Sequence, residues 1–325
     1  MSWLVTGGAG YIGGHVVRAM QDDGEQVVVL DDLSTGERHR AGTAPLVVGS
    51  VLDGDLLRRT LKEHGVTGVV HVAAKKAVGE SVERPLFYYE QNVEGLRVLL
   101  DAVVDAGVES FLFSSSAAVY GTPDVDLVSE QTTCLPQSPY GETKLVGERM
   151  IASVAQATGL RYANLRYFNV AGAAAPELAD TGCANLVPMV LERITSGQRP
   201  RIFGDDYDTP DGTCVRDYIH VSDIASAHAA AAARLGSGDL QAVTLNIGRG
   251  EGVSVREMVE LIRTTTGTAG DPASEPVVEP RRAGDPARIV ASAEAIAQVL
   301  GWRARHDVQE MVASAWEGWQ ARSAT

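Results

Sequence analysis

Residues Gly7-Gly8-Ala9-Gly10-Tyr11-Ile12-Gly13 stand directly behind a short apolar run, WLVT at 3–6. This loop constrains the fold more than any other feature of the chain. Glycines at this spacing suit a tight strand-to-helix turn, let backbone approach a pyrophosphate and bring the helix close to the sheet. The following helix start would offer free N–H groups to the phosphates. A glycine-rich loop is weak evidence alone, because tight turns also need glycine. The strand pattern before it and the helix pattern after it give it weight.

Beyond the loop, short β-branched runs alternate with longer helical patterns. Residues 26–30, 46–48, 68–73, 111–115, 162–166 and 243–247 read as strands covered on both faces, as in a parallel sheet. Residues 92–106, 141–158 and 223–235 read as helices. The alternation predicts an α/β fold, a doubly wound parallel Rossmann-type sheet with a smaller α/β substrate-binding lobe. After about residue 170 the beat becomes irregular, and Gly, Pro and Asp collect in 171–182 and 204–212. The expected division is a dinucleotide-binding domain at 1–170 plus about 218–247, and a substrate lobe at 171–217 and 248–325.

The chain has 325 residues, 45% of them hydrophobic, which is enough to bury a sizeable core. Its net charge of −14 repels nucleic acid and anionic membrane surfaces. An anionic substrate would need a local cluster drawn from the 28 Lys and Arg residues. Cys134, Cys183 and Cys214 are scattered, with no CxxC pair or ligand spacing, and read as free thiols in a reducing compartment. No basic leader or long apolar stretch occurs. A cytoplasmic protein without a membrane span or nucleic-acid partner is expected. No metal is expected either. His71 has no partner at ligand spacing, and Asp205, Asp206, Asp208 and Asp211 lack a calcium-loop pattern.

Two further features carry chemistry. Asp31 ends the second strand, 18 residues beyond Gly13. A carboxylate there can accept hydrogen bonds from an adenosine ribose and repels a 2′-phosphate, which favours NAD over NADP. The apolar run at 111–116 ends in Ser114-Ser115-Ser116, and Ser138-Pro139-Tyr140-Gly141-Glu142-Thr143-Lys144 follows. Pro139 suits a helix start, and a four-residue step puts Tyr140 and Lys144 on one helix face. An ammonium near a phenol favours phenolate, which can act as a base near neutral pH. A serine hydroxyl at the strand end can bond the same reacting oxygen. Tyr-x-x-x-Lys alone is common on protein surfaces; with the glycine loop and Ser116 it describes a hydride-transfer site.

The loop, the serine and the Tyr140/Lys144 pair resemble the extended short-chain dehydrogenase/reductase superfamily. Longer strings resemble its UDP-glucose 4-epimerase family: His71-Val72-Ala73-Ala74, Lys76-Ala77-Val78-Gly79-Glu80-Ser81, Leu165-Arg166-Tyr167-Phe168-Asn169, Val215-Arg216-Asp217-Tyr218-Ile219-His220-Val221, and Pro280-Arg281-Arg282 with Gly284-Asp285-Pro286. The resemblance covers nearly the whole chain. It implies a redox-neutral isomerase that interconverts UDP-galactose and UDP-glucose by transient oxidation at sugar carbon 4, with tightly held NAD. It also implies roles by position. Ser116, Tyr140 and Lys144 would be catalytic. Gly7, Gly10, Tyr11, Ile12, Gly13, Asp31, Ser50, Val51, Lys76, Asn92 and Phe168 would meet NAD. Asn169, Asn185, Leu186, Phe203, Arg216, Arg282, Asp285 and Ile289, with Ser116 and Tyr140, would meet the UDP-sugar. A homodimer through the helices at 92–106 and 141–158 is implied as well.

The chain also departs from that family. Ser50 follows Gly49 where relatives commonly carry Asp, which makes Asp53 a candidate replacement toward adenine. Lys75 adds a charge where some relatives have Leu. Ile289, intermediate in size, leaves room for N-acetylated UDP-sugars. Ala117 and Ala118 stand where 4,6-dehydratases carry an Asp-Glu pair, so dehydration lacks its acid and base. A UDP-N-acetylglucosamine or UDP-glucuronate 4-epimerase is the alternative reading. A non-catalytic NAD/UDP-sugar-binding module is the alternative from a different class, and the intact Ser116, Tyr140 and Lys144 oppose it.

Overall fold

The structure, a computed structural model, describes residues 1–182, 184–282 and 284–323; Cys183 lies outside the described residues. In chain order its strands are β1 (Ser2–Thr6), β2 (Gln26–Asp31), β3 (Leu46–Val48), β4 (Gly68–His71), β5 (Ser110–Ser116), β6 (Arg161–Tyr167), β7 (Asn169–Ala171), β8 (Arg201–Phe203), β9 (Val215–His220), β10 (Ala242–Ile247), β11 (Gly252–Ser254), β12 (Val277–Glu279) and β13 (Arg288–Ile289).

Seven of them form one parallel sheet in the order β3-β2-β1-β4-β5-β6-β10. Side chains alternate between its two covered faces. Val5, Val29, Val70 and Leu112 pack on one side with Val16 and Met20 of the helix Tyr11–Asp22 and Ile224 of the helix Val221–Gly236. Leu4, Val28, Val69 and Phe111 pack on the other with Leu57 of the helix Gly54–Glu63, Leu99 of Gly95–Asp105 and Ile151 of Pro139–Thr158. That is why the strand sequences read as unbroken apolar runs. The sheet grows outward in both directions from β1 and β4, so a crevice opens past the carboxyl ends of these two neighbours.

A second, smaller layer follows. β9 pairs with β7 and β13 in parallel and with β11 antiparallel, and β8 pairs with β12. Met258, Ile262, Met311, Val190 and Leu191 supply its core from the helices Val255–Thr265, Val308–Ser323 and Leu186–Thr195. β9 lies wholly in this layer, so the division expected near residue 218 falls inside a strand. β7 already joins it from Asn169. Ile296 and Trp302 pack back onto the parallel-sheet core.

The expected helix at 92–106 begins differently. A π-helical turn at Tyr89–Glu94 precedes the helix Gly95–Asp105. Among the described residues no helix is long and apolar enough to cross a membrane.

Candidate active site

The crevice carries the glycine loop. Gly7 has φ +72°, which favours glycine, and its N–H donates to the Leu30 carbonyl at 2.8 Å. A Cβ on Gly13 would stand 2.0 Å from the Gly7 carbonyl oxygen. Gly10 opens the helix Tyr11–Asp22 with no side-chain cap, so first-turn N–H groups are left for a ligand. A cavity of about 370 Å³ extends from this loop. Gly7, Gly10, Tyr11, Ile12, Gly13, Asp31, Ser50, Val51, Lys76, Tyr140 and Lys144 line it. The glycine cradle at one wall and the carboxylate of Asp31 at another fit a dinucleotide. Ser34, Thr35, Arg40, Lys75 and Tyr167 line it too. Ser34 and Thr35 follow Asp31 closely enough to have been suspected; nothing in the sequence singles out Arg40.

Asp31 joins the two loops above β1 and β2. One carboxylate oxygen accepts from the Ala9 N–H at 3.0 Å and the other from the Leu33 N–H at 2.8 Å. Burial raises its pKa, and those two hydrogen bonds oppose the rise. Asp53 is engaged elsewhere, since it caps the helix Gly54–Glu63 by accepting from the Leu56 N–H at 3.0 Å. Ser50 lines the cavity while its Oγ accepts from the Leu52 N–H at 3.1 Å.

Asn92 and Phe168 stand outside the cavity lining. Asn92 instead brackets Lys75. Its Oδ1 accepts from the Lys75 N–H at 2.8 Å and its Nδ2 donates to the Lys75 carbonyl at 3.0 Å. Lys75 in turn donates from Nζ to Ser34 Oγ at 3.0 Å, across from the loop after β4 to the loop after β2.

Ser138 caps the helix Pro139–Thr158 through the Gly141 N–H at 3.2 Å, and Pro139 opens it. Tyr140 and Lys144 therefore sit on its first turns, facing the end of β5. Tyr140 is buried, which raises its pKa; a hydrogen bond with Ser116 opposes the rise. Ser116 Oγ also accepts from the Ala118 N–H at 3.2 Å. Lys144 donates to the Ser114 carbonyl at 2.8 Å and lies over the Phe113 ring. Burial lowers its pKa to about 7, with Glu148 pulling the other way. His71, bonded to Thr6 Oγ1 at 2.7 Å, is held neutral by burial and then by Lys144, its pKa lowered to about 3. The site thus holds a buried phenol, a hydroxyl on it, and an ammonium whose charge is easily changed. Such a set can move one proton next to a dinucleotide cleft.

The remaining expected residues lie in the second layer. Asn185 precedes the helix Leu186–Thr195 without a side-chain bond to its first turn, and its Nδ2 donates to Asp180 at 2.7 Å. Asn169 is exposed at the start of β7. Phe203 ends β8, with the Arg282 guanidinium 3.7 Å above its ring. Arg216 pairs with Asp285 at 3.5 Å and sits in register with Ile289. Ile289 is buried against Ala117, Leu145 and Phe168. The fold brings together Phe203 with Arg282, and Arg216 with Asp285 and Ile289. None of these lines the main cavity. Among the described residues no group of three or more His, Cys, Asp or Glu is placed to hold a metal.

A profile of the NAD dependent epimerase/dehydratase family matches residues 3–248. The UDP-glucose 4-epimerase of Halalkalibacterium halodurans is 43% identical over 328 residues, covering 97% of this chain and 95% of its own. That of Azospirillum brasilense is 45% identical over 313 residues, covering 94% and 87%. Among solved structures, the UDP-glucose-4-epimerase of Stenotrophomonas maltophila with bound NAD and formylated UDP-arabinopyranose is similar at a TM-score of 0.93. It is 41% identical and covers 100% of this chain and 99% of that one.

Proposed function

The chain belongs to the NAD dependent epimerase/dehydratase family, and from that premise we propose that it is a UDP-glucose 4-epimerase that interconverts UDP-galactose and UDP-glucose. One observation carries the reading of the site: a buried Tyr140 bonded to Ser116, with Lys144 on the same helix face, at the wall of a glycine-cradled cleft.

NAD, when bound, supplies a hydride acceptor and donor for sugar carbon 4. Gly7, Gly10, Tyr11, Ile12 and Gly13 would hold its pyrophosphate end, and Asp31 its adenosine ribose. Tyr140 takes the proton of the 4-hydroxyl and later returns it, and Ser116 shares that hydrogen bond. Lys144, as ammonium, favours the phenolate. The parallel-sheet domain would hold NAD and the second layer the UDP moiety. Arg216 and Arg282 suit a diphosphate in a protein of net charge −14, and Asn185, Leu186, Phe203 and Asp285 would flank them. With UDP held there, the sugar is free to turn over and present its other face. Ile289 packs in one cluster with Phe168 and Ala117 and would form part of the wall at the sugar end, so its size would set the room there.

A cytoplasmic homodimer completes the reading. It would form through the helices at 92–106 and 141–158, where Val104 is exposed, with Val78, Val82, Leu86 and Tyr89 exposed on the segment before them. Sedimentation analysis tests it.

The assay is incubation with UDP-galactose and detection of UDP-glucose, run beside UDP-N-acetylgalactosamine and UDP-glucuronate. Turnover of UDP-galactose that disappears in Tyr140→Phe is expected. Near-wild-type turnover in that variant would overturn the assignment.

A further inference from the structure

Tyr140, Lys144 and Glu148 follow one another at four-residue steps on the helix Pro139–Thr158, so they share a face. The end of β5 answers with three consecutive serines. Ser116 bonds Tyr140, the Ser114 carbonyl accepts from Lys144 at 2.8 Å, and Ser115 Oγ donates to Glu148 at 2.5 Å. Arg166, on the neighbouring β6, grips the same carboxylate with two bonds, Nε to Oε1 at 2.8 Å and Nη2 to Oε2 at 2.5 Å. Its Nη1 donates to the Tyr120 hydroxyl at 2.8 Å, which donates to Asn246 Oδ1 at 2.7 Å. Ser115, Tyr120, Glu148, Arg166 and Asn246 are all buried.

A buried ion pair of this kind is a poor source of stability, because desolvation of both charges offsets their attraction. Its position gives it another use. Burial disfavours the charged form of Lys144, and Glu148 is the carboxylate that opposes this. The other groups packed around Lys144 do not replace it. His71 on β4 is neutral, and Arg166 and Tyr167 on β6 are a cation and a neutral phenol. Tyr140 on its own helix is a phenol whose pKa burial raises, so it is an anion only when Lys144 is charged beside it; Cys134 is a thiol whose pKa is raised by burial, and Glu80 is tied to Arg84 and Tyr88.

We propose that Glu148 is a positioning residue for the reaction, one that sets the charge and the place of Lys144 while Ser115 and Arg166 fix its carboxylate. The inference rests on the roles given above to Tyr140 and Lys144.

The chain has four lysines, Lys62, Lys75, Lys76 and Lys144, so a lysine labelled at 13Cε gives a simple spectrum. The resonance that vanishes in Lys144→Met reports the titration of Lys144 in the NAD-loaded protein. Glu148→Gln removes the counter-charge, and the Lys144 midpoint falls by on the order of one pH unit. Arg166→Met leaves the carboxylate less compensated, and the midpoint rises. The double variant Glu148→Met/Arg166→Met leaves no orphan charge, so it keeps the fold where a single change does not. Its midpoint falls less than in Glu148→Gln, because the anion and the opposing cation are removed together. The alkaline limb of kcat for UDP-galactose moves in the same direction as each midpoint.

Opposite signs for the loss of Glu148 and the loss of Arg166 support the proposal. Midpoints that stay put, or that all move the same way, overturn it and leave Glu148 as a purely structural group. The midpoint is read without turnover, so a protein that fails to epimerise UDP-galactose fails the proposed function alone.

Discussion

The ammonium of Lys144 donates to the carbonyl oxygen of Ser114 at 2.8 Å, two residues before the serine that bonds Tyr140. The lysine therefore ties the catalytic helix to the strand end as well as supplying charge. Lys144→Met should lower kcat by on the order of 10²-fold, the scale of a lost acid–base partner. It should also change the response of stability to pH. The pKa of Lys144 falls from its ordinary 10.5 to about 7 on folding, through burial. Between those values the unfolded chain binds more protons than the folded one, so this group makes the NAD-free protein more stable as pH rises. Urea unfolding from pH 7 to 9.5 measures that slope. An identical slope in Lys144→Met would contradict the assignment.

The glycine loop makes a sharper steric prediction. A methyl group on Gly13 has no room against Gly7. Gly13→Ala should displace the loop from its place under the cofactor and abolish stoichiometric NAD in the purified protein. Gly79→Ala is the control, since a Cβ there meets nothing within 4 Å. Equal NAD content in the two variants would show that the close approach does not shape the site.

Much of this was legible because it is local. The loop, Asp31 and the Tyr140/Lys144 pair each depend on one turn, one strand end or one helical step. The strands at 26–30 and 162–166 read correctly because both of their faces are covered. What escaped depends on topology. Ser115, Glu148 and Arg166 meet only because β5 and β6 are neighbours beneath one helix; Ser115 and Arg166 lie in recognisable strings, but nothing in those strings says that they share a carboxylate. Asn92 sits in a π-helical turn and holds the backbone of Lys75, a pairing that nothing in the sequence signals. A π turn inserts a residue into the helical period, which a 3.6-residue pattern does not register.

Three buried histidines join His71 in setting the acid side of the stability profile. His15 donates from Nδ1 to the Tyr11 carbonyl and accepts on Nε2 from the Ala174 N–H. His220 accepts on Nδ1 from the Ser222 N–H, with Ser314 at Nε2. His228 lies between the Ile224 carbonyl and Ser114 Oγ. In His15 and His220 one nitrogen must stay unprotonated, because a backbone N–H points at it. Burial lowers the pKa of all three from 6.5 to about 4. The unfolded chain thus binds more protons between about pH 4 and 6.5, and stability is lost as pH falls through that window. Each group alone can cost up to about 1.4 kcal/mol per pH unit there. The urea midpoint should drop steeply from pH 7 to pH 5; a flat midpoint would contradict the neutral assignments.

Asn92 gives the last test, because its effect must pass through another residue. Its amide pairs with both backbone groups of Lys75, and the Lys75 ammonium reaches Ser34 beside the carboxylate of Asp31. The side chain of Lys75 therefore crosses the cavity between the loops after β4 and β2. Asn92→Ala removes two hydrogen bonds from that crossing, each worth about 1 kcal/mol, and a third to Thr143 Oγ1 on the catalytic helix, where Thr143 still donates to the Tyr140 carbonyl. NAD should leave the variant on the order of tenfold faster, followed by its release into excess apo-enzyme. With NAD in excess, kcat should stay near wild type, since Tyr140, Ser116 and Lys144 keep their places. Lys75→Leu should speed release in the same way and make the rate less sensitive to salt. If Asn92→Ala lowers kcat with NAD saturating, and release is unchanged, Asn92 acts on the chemistry and not on the closure of the cleft.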